Sequence, residues 1–368
     1  MSKTYKGYLI ALFVMIMLVG TACAGGEGKP EESDAPPSPS LEPTSSPEPT
    51  PMPFAAPLTG IQRETEAGER PLAVMINNFS AARPQSGLTN ADVVWEVLAE
   101  GGITRLVAIF QSTDKLEDTV GPIRSNRAYL IDIADSYGAV MAHAGGSPEA
   151  YGILQGQRKP YLDEITNAGA AFWRSKERKA PHNLYSSLDK LRTAAGKKKY
   201  GNEEPRRSYT FAAAPEQGTA IADSMAEAAK EITISFLLKS YNVGYTYDEA
   251  TGLYSRTING EPHIDLNNSE QLSAANLIVF ETSHKTLDDV GRLAVDLKAG
   301  GPAYLFQGGK KIDIEWLRAS DGMVRFIKDG SEISLVPGKT YIHVVPSKPA
   351  LQEHVSWVQN LEKGNTSD

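Results

Sequence analysis

"DVVWEVLAEGGITRLVAIFQ", residues 92–111, decides how the first half of this chain is read. Two apolar runs flank Gly101-Gly102, and such a pair between apolar runs is a two-residue hairpin signal, because glycine takes positive φ without a Cβ penalty. On that reading Glu96, Glu100 and Arg105 share one face of a β-ribbon and form a cross-strand charge cluster. The two glutamates also invite a rival reading, an acid and a base of the glycosidase kind. Four residues apart on a strand they would stand ~13 Å apart, beyond the roughly 5 to 9.5 Å of working carboxylate pairs. That pairing would require the segment to be helical.

Outward from the hairpin, "PLAVMINNF" and "YGAVMAHAGG" are short apolar runs bounded by turn residues, which suits buried strands. "SNRAYLIDIADSYG" repeats apolar residues at helical spacing and stops at Gly138. Strands mixed with helices predict an α/β first domain over residues 59–200. Apolar periodicity then ceases in "AAGKKKYGNEEPRRS", residues 194–208, which reads as a boundary. Beyond it one helix is expected in "GTAIADSMAEAAKEI", residues 218–232, followed by alternating strands with turns at Asn259-Gly260 and Asp329-Gly330. The expected class is α+β: a mixed α/β N-terminal domain, then a β-rich C-terminal domain over 208–350 and a tail from 351 to 368.

Three basic or turn-forming stretches carry the candidate binding residues. "FWRSKERKAPHNLY", residues 172–185, reverses the local charge of a chain whose formal charge is −8. Arg174 emerges behind an aromatic pair, Lys176, Arg178 and Lys179 read as a solvated run, and Pro181 presents His182 and Asn183 ahead of a helix starting near Ser186. "GPIRSNRAYL" places Arg124, Ser125 and Arg127 at a helix start, where cations oppose the helix dipole; the arginines meet a ligand, an internal acid or solvent. "HAGGSP" leads from a strand ending at His143 through Gly145 and Gly146 to Ser147 as N-cap and Pro148 as first helical residue. Such a turn is either an anion cradle or simply a good helix entrance.

Other chemistry is weakly signalled. Ser187-Leu188-Asp189-Lys190 has the S-x-x-K form, yet Ser186 with Asp189 equally makes a capping box. No zinc or calcium motif stands out, no cofactor is implied, and the sequence pI of about 5.4 disfavours nucleic acid.

The N-terminus fixes location better than the body fixes function. Lys3 and Lys6 precede an apolar run from Tyr8 to Val19, the length of a signal-peptide core and too short for a span of ~20 residues. Residues 1–23 end at Cys23, the sole cysteine, behind small residues. This resembles a bacterial lipoprotein box, with Gly20 where such boxes prefer leucine. Residues 24–58 are rich in Pro, Ser and Glu and read as an extended stalk. The expected protein is held on the cell membrane through lipidated Cys23, on the extracytoplasmic face.

"RPQSGLTNADVVWEVLAEGGITRLVAIFQ", "VGPIRSNRAYLIDIA", "HAGGSP", "FWRSKERKAPHNLY", "YDEATGLYSRTINGEPHID" and "LVPGKTYIHVVP" together resemble the YerB-like family of lipoproteins of Gram-positive bacteria, a two-domain family of unknown function. The resemblance implies a lipid-anchored extracytoplasmic protein and supplies no catalytic residues. Three readings stay open. The first is an anion-binding protein using Arg124, Ser125, Arg127, His143, Gly145, Gly146, Ser147, Arg174, His182 and Asn183, with a cell-wall polymer or a membrane protein as partner. The second is a cell-wall hydrolase or transferase using a histidine with Glu96 or Glu100, and the third a protein-binding scaffold. Whether the chain is an enzyme is not decided by its sequence.

Overall fold

A computed structural model describes residues 52–201, 207–213 and 226–358. The expected signal peptide, Cys23, most of the stalk, and the greater part of the helix expected at 218–232 lie outside the described residues. Where the expected helix reaches them, the chain is extended instead, with strand at Glu227–Ala228 and again from Glu231.

Apolar runs buried on both sides make the middle of one large sheet: β1 (Leu72–Asn77), β2 (Val93–Leu98) and β3 (Thr104–Phe110) are buried throughout. β3 lies antiparallel between the other two. Helix α1 (Ala128–Asp135) leads to β4 (Val140–His143), parallel to β1, and α2 (Pro148–Gly156) to β5 (Tyr161–Asp163), parallel to β4. β6 (Trp173–Arg174) pairs with β7 (Leu184–Ser187), which runs into α3 (Leu188–Lys197). Ser187, one residue later than expected, is the N-cap of α3, its Oγ accepting from the Lys190 N–H at 3.3 Å. The S-x-x-K form is thereby used as a cap.

In the second region β8 (Glu231–Ser235), β9 (Asn242–Asp248) and β10 (Leu253–Ile258) form a meander in which alternate residues are buried, as the period-2 pattern requires. β11 (Asn276–Thr282), β12 (Gly301–Gln307), β13 (Lys310–Arg318), β14 (Val324–Lys328) and β15 (Thr340–Pro346) follow. Residues 351–358 are not a tail: they make a short helix and then β16 (Val355–Val358), which pairs with β8.

β15 joins the regions by lying parallel to β11 on one side and to β2 on the other. The order β14-β13-β12-β11-β15-β2-β3-β1-β4-β5 is therefore one continuous sheet. One face packs on the six-stranded sheet containing β8–β10 and on α3; the other packs on α1 and α2. Among the described residues strand far outweighs helix, the helices are few and short, and the N-terminal part is not clearly α/β.

The hairpin itself departs from the expected register. Glu100, Gly101 and Gly102 form a 3-10 turn closed by the Ala99 N–H donating to the Ile103 carbonyl at 2.7 Å, so Leu98 pairs with Thr104 and Glu96 with Leu106. The turn is one residue longer than a two-residue connection, and a shift of one residue turns side chains to the opposite face. Glu96 consequently faces the six-stranded sheet, whereas Arg105 faces the helices. The single charge cluster expected of Glu96, Glu100 and Arg105 is split between two sites.

Candidate anion-binding site

β1, β2, β4, β5, β11 and β15 all point the same way, and in such sheets ligands bind outside the carboxyl ends of the strands. Asn77, His143 and Asp163 end β1, β4 and β5 there, and Arg105 lies opposite Asn77 near the start of β3.

The segment before α1 crosses this edge. The Arg124 N–H donates to the Met75 carbonyl at 2.7 Å; the Ala144 N–H then donates to Arg124 O at 3.1 Å and the Asn126 N–H to Gly145 O at 2.9 Å. These bonds bring Arg124, Ser125 and Arg127 beside Gly145, Gly146 and Ser147. Arg124 is not on the helix, because α1 begins at Ala128 with Arg127 as N-cap. The dipole argument thus applies to Arg127 alone, and its Nε donates to Glu100 Oε1.

The glycine turn is not a free cradle. The Gly145 N–H donates to Asp163 Oδ1 at 2.7 Å, the Ser147 N–H to Asn126 O at 3.3 Å, and Ser147 Oγ caps α2 by accepting from the Ala150 N–H at 3.1 Å. His143 lies fully buried beneath it, with Nδ1 2.9 Å from Gly145 O and 3.6 Å from Asp163 Oδ1. Burial outweighs Asp163 and holds His143 neutral, below its ordinary pKa.

Charge is instead concentrated on side chains. Arg105, 3% exposed, donates through Nη1 to Ser125 O at 2.5 Å, and its Nε has no partner among the described residues. Burial, reinforced by Arg127 and Arg124, pushes its pKa down to about 10. Arg124 is half-buried, and its pKa is lowered by burial and then by Arg127 and Arg174, so these cations lie within electrostatic reach of one another. Arg174 donates to Asn183 Oδ1 and pairs with Glu164, each at 3.1 Å. His182 stacks on Phe79 at 5.2 Å, accepts at Nδ1 from the Asn77 amide, and is kept neutral by burial and then by Arg124 and Arg178. Lys176 and Lys179 are exposed, but Arg178 is not a solvated residue: it donates to Ala82 O and, at 2.6 Å, to Pro84 O. An open cleft of about 450 Å³ is walled by Glu100, Ser125, Arg127, Gly146, Ser147 and, from the second region, Arg292.

A second polar cluster lies on the other face of the sheet. Arg256 donates through Nη2 to Glu96 Oε2 at 2.7 Å, through Nη1 to Tyr245 Oη at 2.5 Å and through Nε to His263 Nδ1 at 3.0 Å. His343 Nδ1 stands 3.2 Å from Glu96 Oε2, while Tyr241 and Thr104 donate to Glu96 Oε1 at 2.6 and 2.7 Å. Burial alone would raise the Glu96 pKa; Arg256, His343 and Tyr241 outweigh it and hold the carboxylate ionised. Glu96, Arg256, His263 and His343 are each 3% exposed or less, so this cluster ties the two sheets together without a surface for a ligand. Sequence reasoning missed Arg256 and His343. The signal was their placement, Arg256 at an inward position of β10 between Tyr254 and Ile258, and His343 in the wholly buried β15.

Among the described residues no group of three or more His, Cys, Asp or Glu is arranged to hold a metal ion, and no helix is long and apolar enough to cross a membrane.

Residues 58–201 match the N-terminal domain and residues 232–342 the C-terminal domain of the family described as "Protein of unknown function (DUF3048)". The chain is 36% identical over 298 residues to "Putative lipoprotein YerB" of Bacillus subtilis (strain 168), covering 80% of this chain and 87% of that protein. A crystal structure of the YerB protein from Bacillus subtilis superposes with a TM-score of 0.73 at 35% identity, covering 82% of this chain and 99% of the other. With both domains matched and a relative this similar along most of its length, the chain belongs to the DUF3048 family.

Proposed function

We propose that the protein is a cell-envelope lipoprotein, tethered through Cys23, that binds an anionic group at the arginine cluster on the carboxyl edge of its sheet. One observation carries the reading: Arg105, Arg124, Arg127 and Arg174, drawn from three separate stretches, gather along one edge, and among the described residues only Glu100 and Glu164 are paired against them. Gathering four guanidinium groups costs desolvation and mutual repulsion, which a bound anion relieves. The planar fork of arginine suits phosphate or carboxylate, the groups that envelope polymers and acidic partners offer. The relative's name supports the lipoprotein assignment. Binding is favoured over hydrolysis or transfer because the histidine–carboxylate pairs formed by His343 with Glu96 and by His143 with Asp163 are fully buried.

Calorimetric titration of the full-length protein with inorganic phosphate at low salt tests this reading. Arg124→Ala should weaken binding about tenfold or more, the loss of one charge-assisted contact of ~1.5 to 3 kcal/mol, while Lys176→Ala leaves it unchanged. Equal affinities for wild type and Arg124→Ala would overturn it.

A further inference from the structure

Among the described residues Glu100 is the one acid in the cleft wall. It sits in the turn between β2 and β3, followed by Gly101 and Gly102 at φ 71° and 74°, and nothing lies near Gly101 where a side chain would project. Its carboxylate accepts from Arg127 and acts electrostatically on Arg105 and Arg124, three of the four cations assigned above. Burial opposes its charge, yet the Arg127 hydrogen bond, its own backbone N–H and the charges of Arg127 and Arg105 together outweigh burial and keep the group ionised. Among the described residues the only acid paired with the fourth cation is Glu164, and that contact is on the more exposed Arg174, 45% accessible.

Resting on that reading of the site, we infer that Glu100 is a built-in competitor: its carboxylate occupies the anion position and must swing out on its glycine turn when a ligand anion enters. The cluster is thereby kept from being an unpaired cationic hole, at the cost of affinity. A weak monoanion gains little by displacing it. A group of higher charge, such as phosphate, gains more from the same arginines, so the carboxylate also sets a threshold of charge for the ligand.

The test compares full-length wild type, Glu100→Gln, Glu164→Gln and Arg124→Ala, titrated with inorganic phosphate and with acetate, with thermal melting of each. Removing a competing, partly exposed ion pair should tighten phosphate binding in Glu100→Gln roughly three- to tenfold, make acetate binding measurable, and leave Glu164→Gln within about twofold of wild type. Unchanged or weaker phosphate affinity in Glu100→Gln, with wild type still binding and Arg124→Ala not, would overturn the competitor while leaving the site in place. A lowered melting point with unchanged affinity would mark Glu100 as a structural partner and overturn it equally. If neither wild type nor Glu100→Gln binds phosphate, the anion site itself fails, and this inference with it.

Discussion

Arg256 Nη2 and Glu96 Oε2 stand 2.7 Å apart with both side chains sealed from solvent, so the two halves of the chain are joined by an ion pair inside a sandwich core. Removing one partner of such a pair strands the other, which costs about 3 to 5 kcal/mol. Glu96→Gln should lower stability by that amount in urea unfolding, and the double variant Glu96→Gln, Arg256→Met should recover part of it. A loss below ~1 kcal/mol in the single variant would show that the core tolerates the bare guanidinium.

Acid should weaken the protein before Glu96 titrates. His143, His263 and His343 are all held below the ordinary histidine value of 6.5, burial being the first cause in each. As pH falls below that value the unfolded chain takes up these protons while the folded chain does not; the unfolded state then binds more protons and stability declines. Above it both states are neutral and the dependence vanishes. Glu96, with its folded pKa depressed, adds a further loss only below the ordinary carboxylate range. Melts between about pH 8 and pH 5 should show this decline, and His263→Gln should flatten it by up to ~1.4 kcal/mol per pH unit. A level profile across that range would contradict the assignment of neutral buried histidines.

Arg105 should separate stability from binding. Its Nε has no partner among the described residues, and burial lowers its pKa to about 10. Arg105→Met should leave stability within ~1 kcal/mol of wild type or raise it, while phosphate affinity falls several-fold. A variant that is both unstable and unaltered in binding would place Arg105 in the scaffold alone.

Gly145 has φ 73°, and a Cβ there would come within 3.1 Å of the Ile165 Cδ1 atom, the end of a side chain that is 67% exposed and free to yield. The cost of Gly145→Ala is therefore mainly that of the left-handed backbone, ~1 to 2 kcal/mol, and Gly145→Asn should cost less. Denaturant midpoints of the two variants give the comparison; equal losses would point to a steric cause.

The elements legible in the sequence were those whose signal is local. The apolar runs at 72–77, 93–98, 104–110 and 140–143 and the Ser147-Pro148 entrance to α2 are strands and a cap as read. What failed depended on one residue of register or on distant partners. Counting Gly101-Gly102 as the whole turn put Glu96 and Arg105 on one face, and the 3-10 turn at Glu100–Gly102 separates them. The glycine turn after β4 looked like a backbone anion cradle because nothing nearby in sequence announces that Asp163 takes its N–H. Arg178 looked solvated for the same reason, its acceptors Ala82 and Pro84 lying about a hundred residues upstream.

The seating of β15 between β11 and β2 sets an order on synthesis. A ribosome releases β2 long before β15 exists, so the emerging N-terminal part holds a six-residue, fully buried-type strand with one open side. Open strand sides recruit whatever extended backbone is nearest, including β15 of a neighbouring copy, which offers an identical fit. A chain cut after residue 201 would carry that vacancy permanently and should self-associate, whereas the whole chain closes it with its own late strand. The two matched domains, 58–201 and 232–342, are thus separate in sequence, yet the central sheet of the first is completed only when the late strand of the second returns to it.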